Sequence, residues 1–193
     1  MCYNNLGYSY YNLQGYNEAE EYYLKSLEIY SRLAEKNPES FESDLALSYN
    51  NLGALYYNLQ RHSEAEEYYL KSLEIRKRLA EKNPDAFESN LAVSYNNIGG
   101  LYNELQRYSE AEEYYLKSLE IYSRLAEINP DAFESDLAMS YGNIACLFKN
   151  LSRTDEAKEY YLKALEIYER LEKKNPGLYS EYIEIIKDTL PSL

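Results

Sequence analysis

The feature that most constrains this chain is a 46-residue period. Tyr3-Asn4-Asn5-Leu6-Gly7 returns as Tyr49-Asn50-Asn51-Leu52-Gly53, as Tyr95-Asn96-Asn97-Ile98-Gly99, and more loosely as Tyr141-Gly142-Asn143-Ile144-Ala145. Residues 49–94 and 95–140 match at 36 of 46 positions. A fold closed around one core places equivalent positions in different surroundings and does not tolerate such copying, whereas a stack of equal units does.

Each unit reads as two helices. In the second unit Phe41, Leu45, Tyr49, Leu52, Tyr56 and Leu59 step by three and four residues, and after the break at Gln60–Ser63 a second run places Ala65, Tyr69, Ser72, Arg76 and Leu79 on one face. Ser63 with Glu66, and Ser109 with Glu112, have the spacing of a capping box. Glu67–Lys71 and Glu113–Lys117 are favourable i,i+4 pairs. Asn37-Pro38, Asn83-Pro84, Asn129-Pro130 and Asn175-Pro176 end the second helices, with Asn expected in a left-handed terminal position and Pro opening the next helix. The expected fold class is all-α. Helices are predicted near 4–13, 17–36, 39–59, 63–82, 85–105, 109–128, 131–151, 155–174 and 178–190.

Composition narrows the function. With 20 basic and 33 acidic residues the net charge is -13, which disfavours nucleic acid and an anionic membrane surface. No apolar run approaches the roughly 18 residues of a membrane span. The single histidine, His62, sits in a turn and is expected to face solvent. With only Cys2 and Cys146 beside it, no metal centre, cofactor site or acid–base constellation is expected, and the chain reads as non-catalytic. Two thiols in a chain of this size suit a reduced, cytoplasmic setting.

These residues resemble the tetratricopeptide repeat family, whose offsets are filled by Tyr49, Leu52, Gly53, Tyr56, Ala65, Tyr69 and Ser72, and again by Tyr95, Ile98, Gly99, Tyr102, Ala111, Tyr115 and Ser118. The usual repeat has about 34 residues. The longer one here is similar to the long-repeat variety, as in kinesin light chain. The resemblance implies a right-handed α-solenoid of antiparallel helix pairs forming a single array over 1–193. Its repeats would be approximately 3–48, 49–94, 95–140 and 141–177, with a C-terminal capping helix at 178–190. The first repeat lacks the first half of its leading helix, as expected of a piece of a longer array, with a natural start at Met1 as the alternative.

The resemblance also implies a non-catalytic protein–protein interaction scaffold that binds a peptide or partner segment in a concave groove. The groove would be lined by the first helices, through Asn5, Tyr8, Asn51, Ala54, Tyr57, Asn58, Asn97, Gly100, Asn103, Asn143 and Lys149. Asn5, Asn51, Asn97 and Asn143 hold the offset of an asparagine ladder, and an amide offers a donor and an acceptor to a peptide backbone. The competing reading is that these side chains bond to a neighbouring helix. For Asn4, Asn50 and Asn96 a structural or solvated role is expected. Tyr8, Tyr11 and Tyr57 are expected in the groove, Tyr23, Tyr69, Tyr115 and Tyr161 in the core, and Tyr22, Tyr68, Tyr114 and Tyr160 half-buried. A clamp for a terminal carboxylate is not expected, because its offsets hold Asn4, Tyr8, Asn51, Val93 and Asn97, and Lys149 is the one basic residue on the stripe. Rival readings are a homo-oligomer stacked head to tail through the array ends, and the sensor portion of a larger signalling protein.

Overall fold

The computed structural model describes residues 2–192, and among them every regular element is helical. The helices are α1 (Cys2–Asn12), α2 (Tyr16–Lys36), α3 (Pro38–Asn58), α4 (His62–Lys82), α5 (Pro84–Glu104), α6 (Tyr108–Ile128), α7 (Pro130–Asn150), α8 (Thr154–Lys174) and α9 (Ser180–Thr189), with a short 3-10 turn at Leu190–Ser192. The side chain of Cys2 lies outside the described residues. Two compact units are formed, one reaching to Leu101 and the other starting at Tyr102, so the end of α5 belongs to the second.

Within the first unit, α3 and α4 run antiparallel. Glu42 meets Arg78 at 2.7 Å, Ser72 Oγ donates to the Ala46 carbonyl at 2.8 Å, and Gly53 lies against the Tyr69 ring. Small residues bring the pairs together. A Cβ on Gly7 or Gly53 would stand 2.5 Å from the ring of Tyr23 or Tyr69. Ser26, Ser48 and Ser72 fill further close contacts, with Ser26 and Ser48 hydroxyls 3.2 Å apart. Tyr23, Tyr69, Tyr115 and Tyr161 are buried, and Tyr22, Tyr68, Tyr114 and Tyr160 are half-buried, as their register predicts. In the second unit Tyr179 and Ile183 pack against the cluster of Ala138, Tyr161, Ile167, Tyr168, Leu171 and Ile186, so α9 covers the end of α8.

The turns depart from the sequence-based expectations in two ways. Ser63 does not cap α4: the helix begins one residue earlier, Arg61 is its N-cap, and no side chain caps it. The reason lies upstream. Leu59, Gln60 and Arg61 form a Schellman turn, with Arg61 N–H donating to the Tyr56 carbonyl at 2.8 Å and Gln60 N–H to that of Tyr57 at 3.0 Å. Gln60 sits at φ 58, and Gln14, Gln106 and Ser152 repeat the conformation. Arg61 then pairs with Glu64 across the first turn of α4 and with Glu20 at 3.0 Å, while lying 4.2 Å over the Tyr56 ring. Arg153 repeats this with Glu156, Glu112 and Phe148.

The left-handed position therefore belongs to glutamine, without glycine's tolerance for it. Replacing exposed Gln60 by glycine is expected to stabilise the fold by about 0.5–1 kcal/mol, since the relief of a left-handed Cβ exceeds the added chain entropy. A urea melt of the variant measures it, and an unchanged or lower midpoint contradicts it.

The second departure is at the asparagines. Asn37, Asn83 and Asn129 are extended, at φ -145, -146 and -140, and not left-handed. The following proline disfavours helical geometry at the preceding residue and pushes it into the extended β region instead. Pro38, Pro84 and Pro130 then open the next helices, as expected.

The fourth corner differs. After Asn175-Pro176, Gly177 takes φ 90 and α9 starts only at Ser180, two residues later than predicted. The Glu172 carboxylate reaches back from α8 and accepts from Gly177 N–H at 2.6 Å, Tyr179 N–H at 2.8 Å and Ser180 Oγ at 2.7 Å. These bonds, that of Ser180 first, hold its pKa below the ordinary 4.5. A carboxylate depressed in the folded state contributes stability above its unfolded pKa and loses it as pH falls through the folded value. Amide-exchange protection of α9 is therefore expected to fall below about pH 4.5 before that of α8, and Glu172→Ala should lower it already at pH 7. Equal protection in the variant at pH 7 would rule out this anchoring role.

Candidate functional site

The first helices of the repeats carry the residues of the predicted stripe. In the first unit Asn5 is exposed, Asn51, Ala54, Tyr57, Asn97 and Gly100 are half-buried, and Asn58 is exposed. Tyr8 is 59% exposed, a large aromatic surface on α1 without cover in the unit. In the second unit Asn103 and Asn143 are half-buried and Lys149 is exposed.

Hydrogen bonding divides these amides into two sets. Asn97 Nδ2 donates to Asn50 Oδ1 at 2.9 Å, tying α5 to α3. Asn58 Nδ2 donates to the Tyr11 hydroxyl and to the Ala54 carbonyl at 2.9 Å. Asn150 Nδ2 donates to Asn103 Oδ1 at 3.1 Å in the second unit. Each link joins residues 47 apart, so one geometry recurs between leading helices of adjacent repeats. By contrast, among the described residues the side-chain amides of Asn5, Asn51 and Asn143 make no hydrogen bond within the chain. The two readings of the ladder offset thus divide by residue: Asn97 bonds to a neighbouring helix, and the other three leave donor and acceptor open.

The preceding offset is structural where the structure resolves its partners. Asn4 is 4% exposed and donates to Ser48 Oγ at 3.1 Å. Asn50 differs because Arg76 enters. Arg76 is 5% exposed, and its Nη1 donates to the Asn90 carbonyl and to Ser94 Oγ, both at 2.9 Å, and reaches Asn50 Oδ1 at 3.5 Å. Tyr30, Tyr122 and Tyr168 occupy this register in the other repeats. Sequence reasoning placed Arg76 on the packing face and missed this network. The departure from tyrosine at one repeat was the available signal.

The electrostatics of the stripe are those of buried phenols. Tyr11 is pushed up in pKa by burial and then by Tyr16 and Tyr8, and Tyr69 by burial and then by Tyr11 and Tyr57. These hydroxyls stay protonated and act as neutral hydrogen-bonding groups. Cys146 is exposed on α7, and Tyr161 is pushed up to about 12 by burial and its contact with Cys146. His62, expected in solvent, is half-buried, because α4 begins at it and its ring meets Tyr57 edge-on at 6.4 Å. Among the described residues no His, Cys, Asp or Glu cluster has the geometry to hold a metal ion, and no helix is long and apolar enough to cross a membrane.

Comparison with known families agrees with this architecture. The tetratricopeptide repeat matches residues 44–124 and 90–170, and a second form of it matches residues 1–39. The chain belongs to the tetratricopeptide repeat family. Repeats of this family are protein–protein interaction scaffolds, generally without catalysis of their own. No curated protein matches the chain.

Among solved structures, BtubC (BKLC) of P. vanneervenii is similar at 25% identity and a TM-score of 0.64, over 87% of this chain and 61% of that one. RapI in its apo form has a TM-score of 0.77 at 21% identity, over 97% of this chain and 61% of its own. The pilF protein of Pseudomonas aeruginosa has a TM-score of 0.62 at 20% identity, over 98% of this chain and 75% of its own. The last two likenesses establish the helical repeat fold alone. The chain thus spans about three fifths of the length of BtubC and RapI.

Proposed function

We propose that this tetratricopeptide array binds an extended or helical segment of a partner protein along its leading helices. The observation that carries the reading is the set of open amides. Asn51 is half-buried in a helix interior, where Asn is less favourable than Ala by a few tenths of a kcal/mol, and it returns no hydrogen bond to the chain. The leading helices of the same unit also carry small residues, Ala54 and Gly100, that allow close approach, and aromatic surface at Tyr8 and Tyr57 of the kind favoured at interfaces. A neutral groove of amides and tyrosines suits a main chain with apolar anchors better than a terminal carboxylate.

The test is a peptide-library screen on the full chain, followed by affinity and melting measurements on two variants with the enriched peptide. Asn51→Ala is expected to weaken binding by about 0.5–1.5 kcal/mol, the range for one neutral hydrogen bond, with an unchanged or slightly higher Tm. Asn97→Ala is expected to lower the Tm, because Asn50 loses its donor. Undiminished affinity in Asn51→Ala would remove this residue from the binding face.

A further inference from the structure

The second unit holds a pocket of about 280 Å³ where α7, α8 and the start of α9 meet, lined by Ser135, Asp136, Met139, Tyr168, Tyr179 and Tyr182 among others. Two observations set it apart. Asp136 is half-buried, and burial pushes its carboxyl up in pKa, yet among the described residues its carboxylate makes no hydrogen bond or ion pair. The cations on α8 and α9 that pair at all are engaged elsewhere: Lys163 with Glu159 at 2.6 Å, Arg170 with Glu134 at 2.8 Å, Lys174 with Asp131 at 2.9 Å and Lys187 with Glu169 at 2.6 Å. The rest of the pocket is aromatic. The Tyr168 ring stacks on Tyr182 at 5.1 Å and on Tyr179 at 5.7 Å, and Tyr182 is 51% exposed.

The chain itself shows what suits this position. Two periods earlier, the equivalent residues Ser43, Asp44, Leu47, Arg76, Phe87 and Asn90 line the equivalent pocket in the first unit. There the residue in the place of Tyr168 is Arg76, so a guanidinium of the chain's own lies in the pocket with Asp44 and is held by Asn90 and Ser94. In the fourth repeat the arginine is a tyrosine and the amide of Asn90 has become the ring of Tyr182. The acid is retained, the internal cation is gone, and two π faces have been added.

We propose that this pocket receives an arginine side chain of a partner protein, with the guanidinium paired to Asp136 and stacked on Tyr182. A planar guanidinium pairs with a carboxylate through two parallel N–H bonds and stacks on tyrosine faces, and it is less strongly hydrated than an ammonium. The net charge of -13 favours approach of a basic segment. The proposal takes from the scaffold reading only that the partner is a protein, and it does not involve the open amides.

The experiment is an NMR titration of the full chain with N-acetyl-arginine N-methylamide and, separately, with its neutral isostere N-acetyl-citrulline N-methylamide. Single-residue probes test the pocket alone, so failure here leaves the peptide-groove reading standing. The arginine probe is expected to give saturable shifts at Tyr179 and Tyr182, and the citrulline probe none. Asp136→Asn should weaken the arginine probe about tenfold or more, the loss expected for a charge-assisted hydrogen bond. Tyr168→Arg, which supplies an internal guanidinium as in the second repeat, should abolish binding while circular dichroism stays helical. If that variant unfolds, Asp136→Asn decides alone. Equal binding of both probes, absence of saturable shifts, or an unaltered affinity in Asp136→Asn overturns the proposal.

Discussion

Replacing Gly53 by leucine is expected to lower the stability of the first unit by about 1–3 kcal/mol, the range for overpacking a close contact. A Cβ at Gly53 would stand 2.5 Å from the Tyr69 ring, and Tyr69 is itself buried, so the ring has little room to yield. Alanine should cost less, because the fourth repeat carries Ala145 at this register with Tyr161 beside it in the same core cluster. Gly142 is the control. Nothing lies within 4 Å of its added Cβ, and it sits inside α7. Gly142→Ala should therefore stabilise by about 0.5–1 kcal/mol through helix propensity and chain entropy. Urea melts of the three variants measure these effects, and a neutral Gly53→Leu would mean that α3 and α4 separate freely.

Removing the buried guanidinium should have an effect of similar size. Arg76→Leu removes the Arg76 bond to the exposed Asn90 carbonyl and leaves the buried Ser94 Oγ without this donor, and a buried polar group deprived of its partner costs about 1–3 kcal/mol. Arg76→Tyr restores the residue of the other repeats at this register and should recover part of it by refilling the volume. The stability of the two variants against the parent, by chemical denaturation, is the check. If both match the parent, Arg76 does not hold α4 to α5.

The fold was legible because the helical stripes are periodic and repeated. Four registers vote for each position, and Pro38, Pro84 and Pro130 fix where the next helices open. The turn chemistry was less legible because two local rules conflict there. Ser63 and Glu66 spell a capping box, but the Schellman turn at Leu59–Arg61 sets the start of α4 one residue earlier, which carries Ser63 inside the helix. Asn37 spells a left-handed stop, but Pro38 imposes an extended residue before it. Both errors come from judging one residue without the constraint of its neighbour.

The stripe shows a different limit. Its membership could be read from helical spacing, but not which amides are engaged. Asn51 and Asn97 are copies at one offset. Only Asn97 is taken, because Arg76 stands between Asn50 and Ser94 and Asn50 then offers its Oδ1 to Asn97. Where Tyr30 stands in place of Arg76, the first repeat leaves Asn4 bonded to Ser48 and Asn51 open. One substitution in a second helix thus alters the hydrogen bonding of the leading helices beside it, which no inspection of the stripe alone reveals.

The central claim is that the leading-helix stripe, and not the acidic outer faces of the second helices, meets the partner. The most direct measurement is an NMR map of the full chain with a peptide enriched from a library, following the side-chain amides of Asn5, Asn51 and Asn143. The account predicts large shifts at these amides and at Tyr8, with little change at Lys25 and Lys71, whose pairs with Glu21 and Glu67 mark the outer faces of α2 and α4. Shifts confined to those outer faces, with the three amides unmoved, would contradict it.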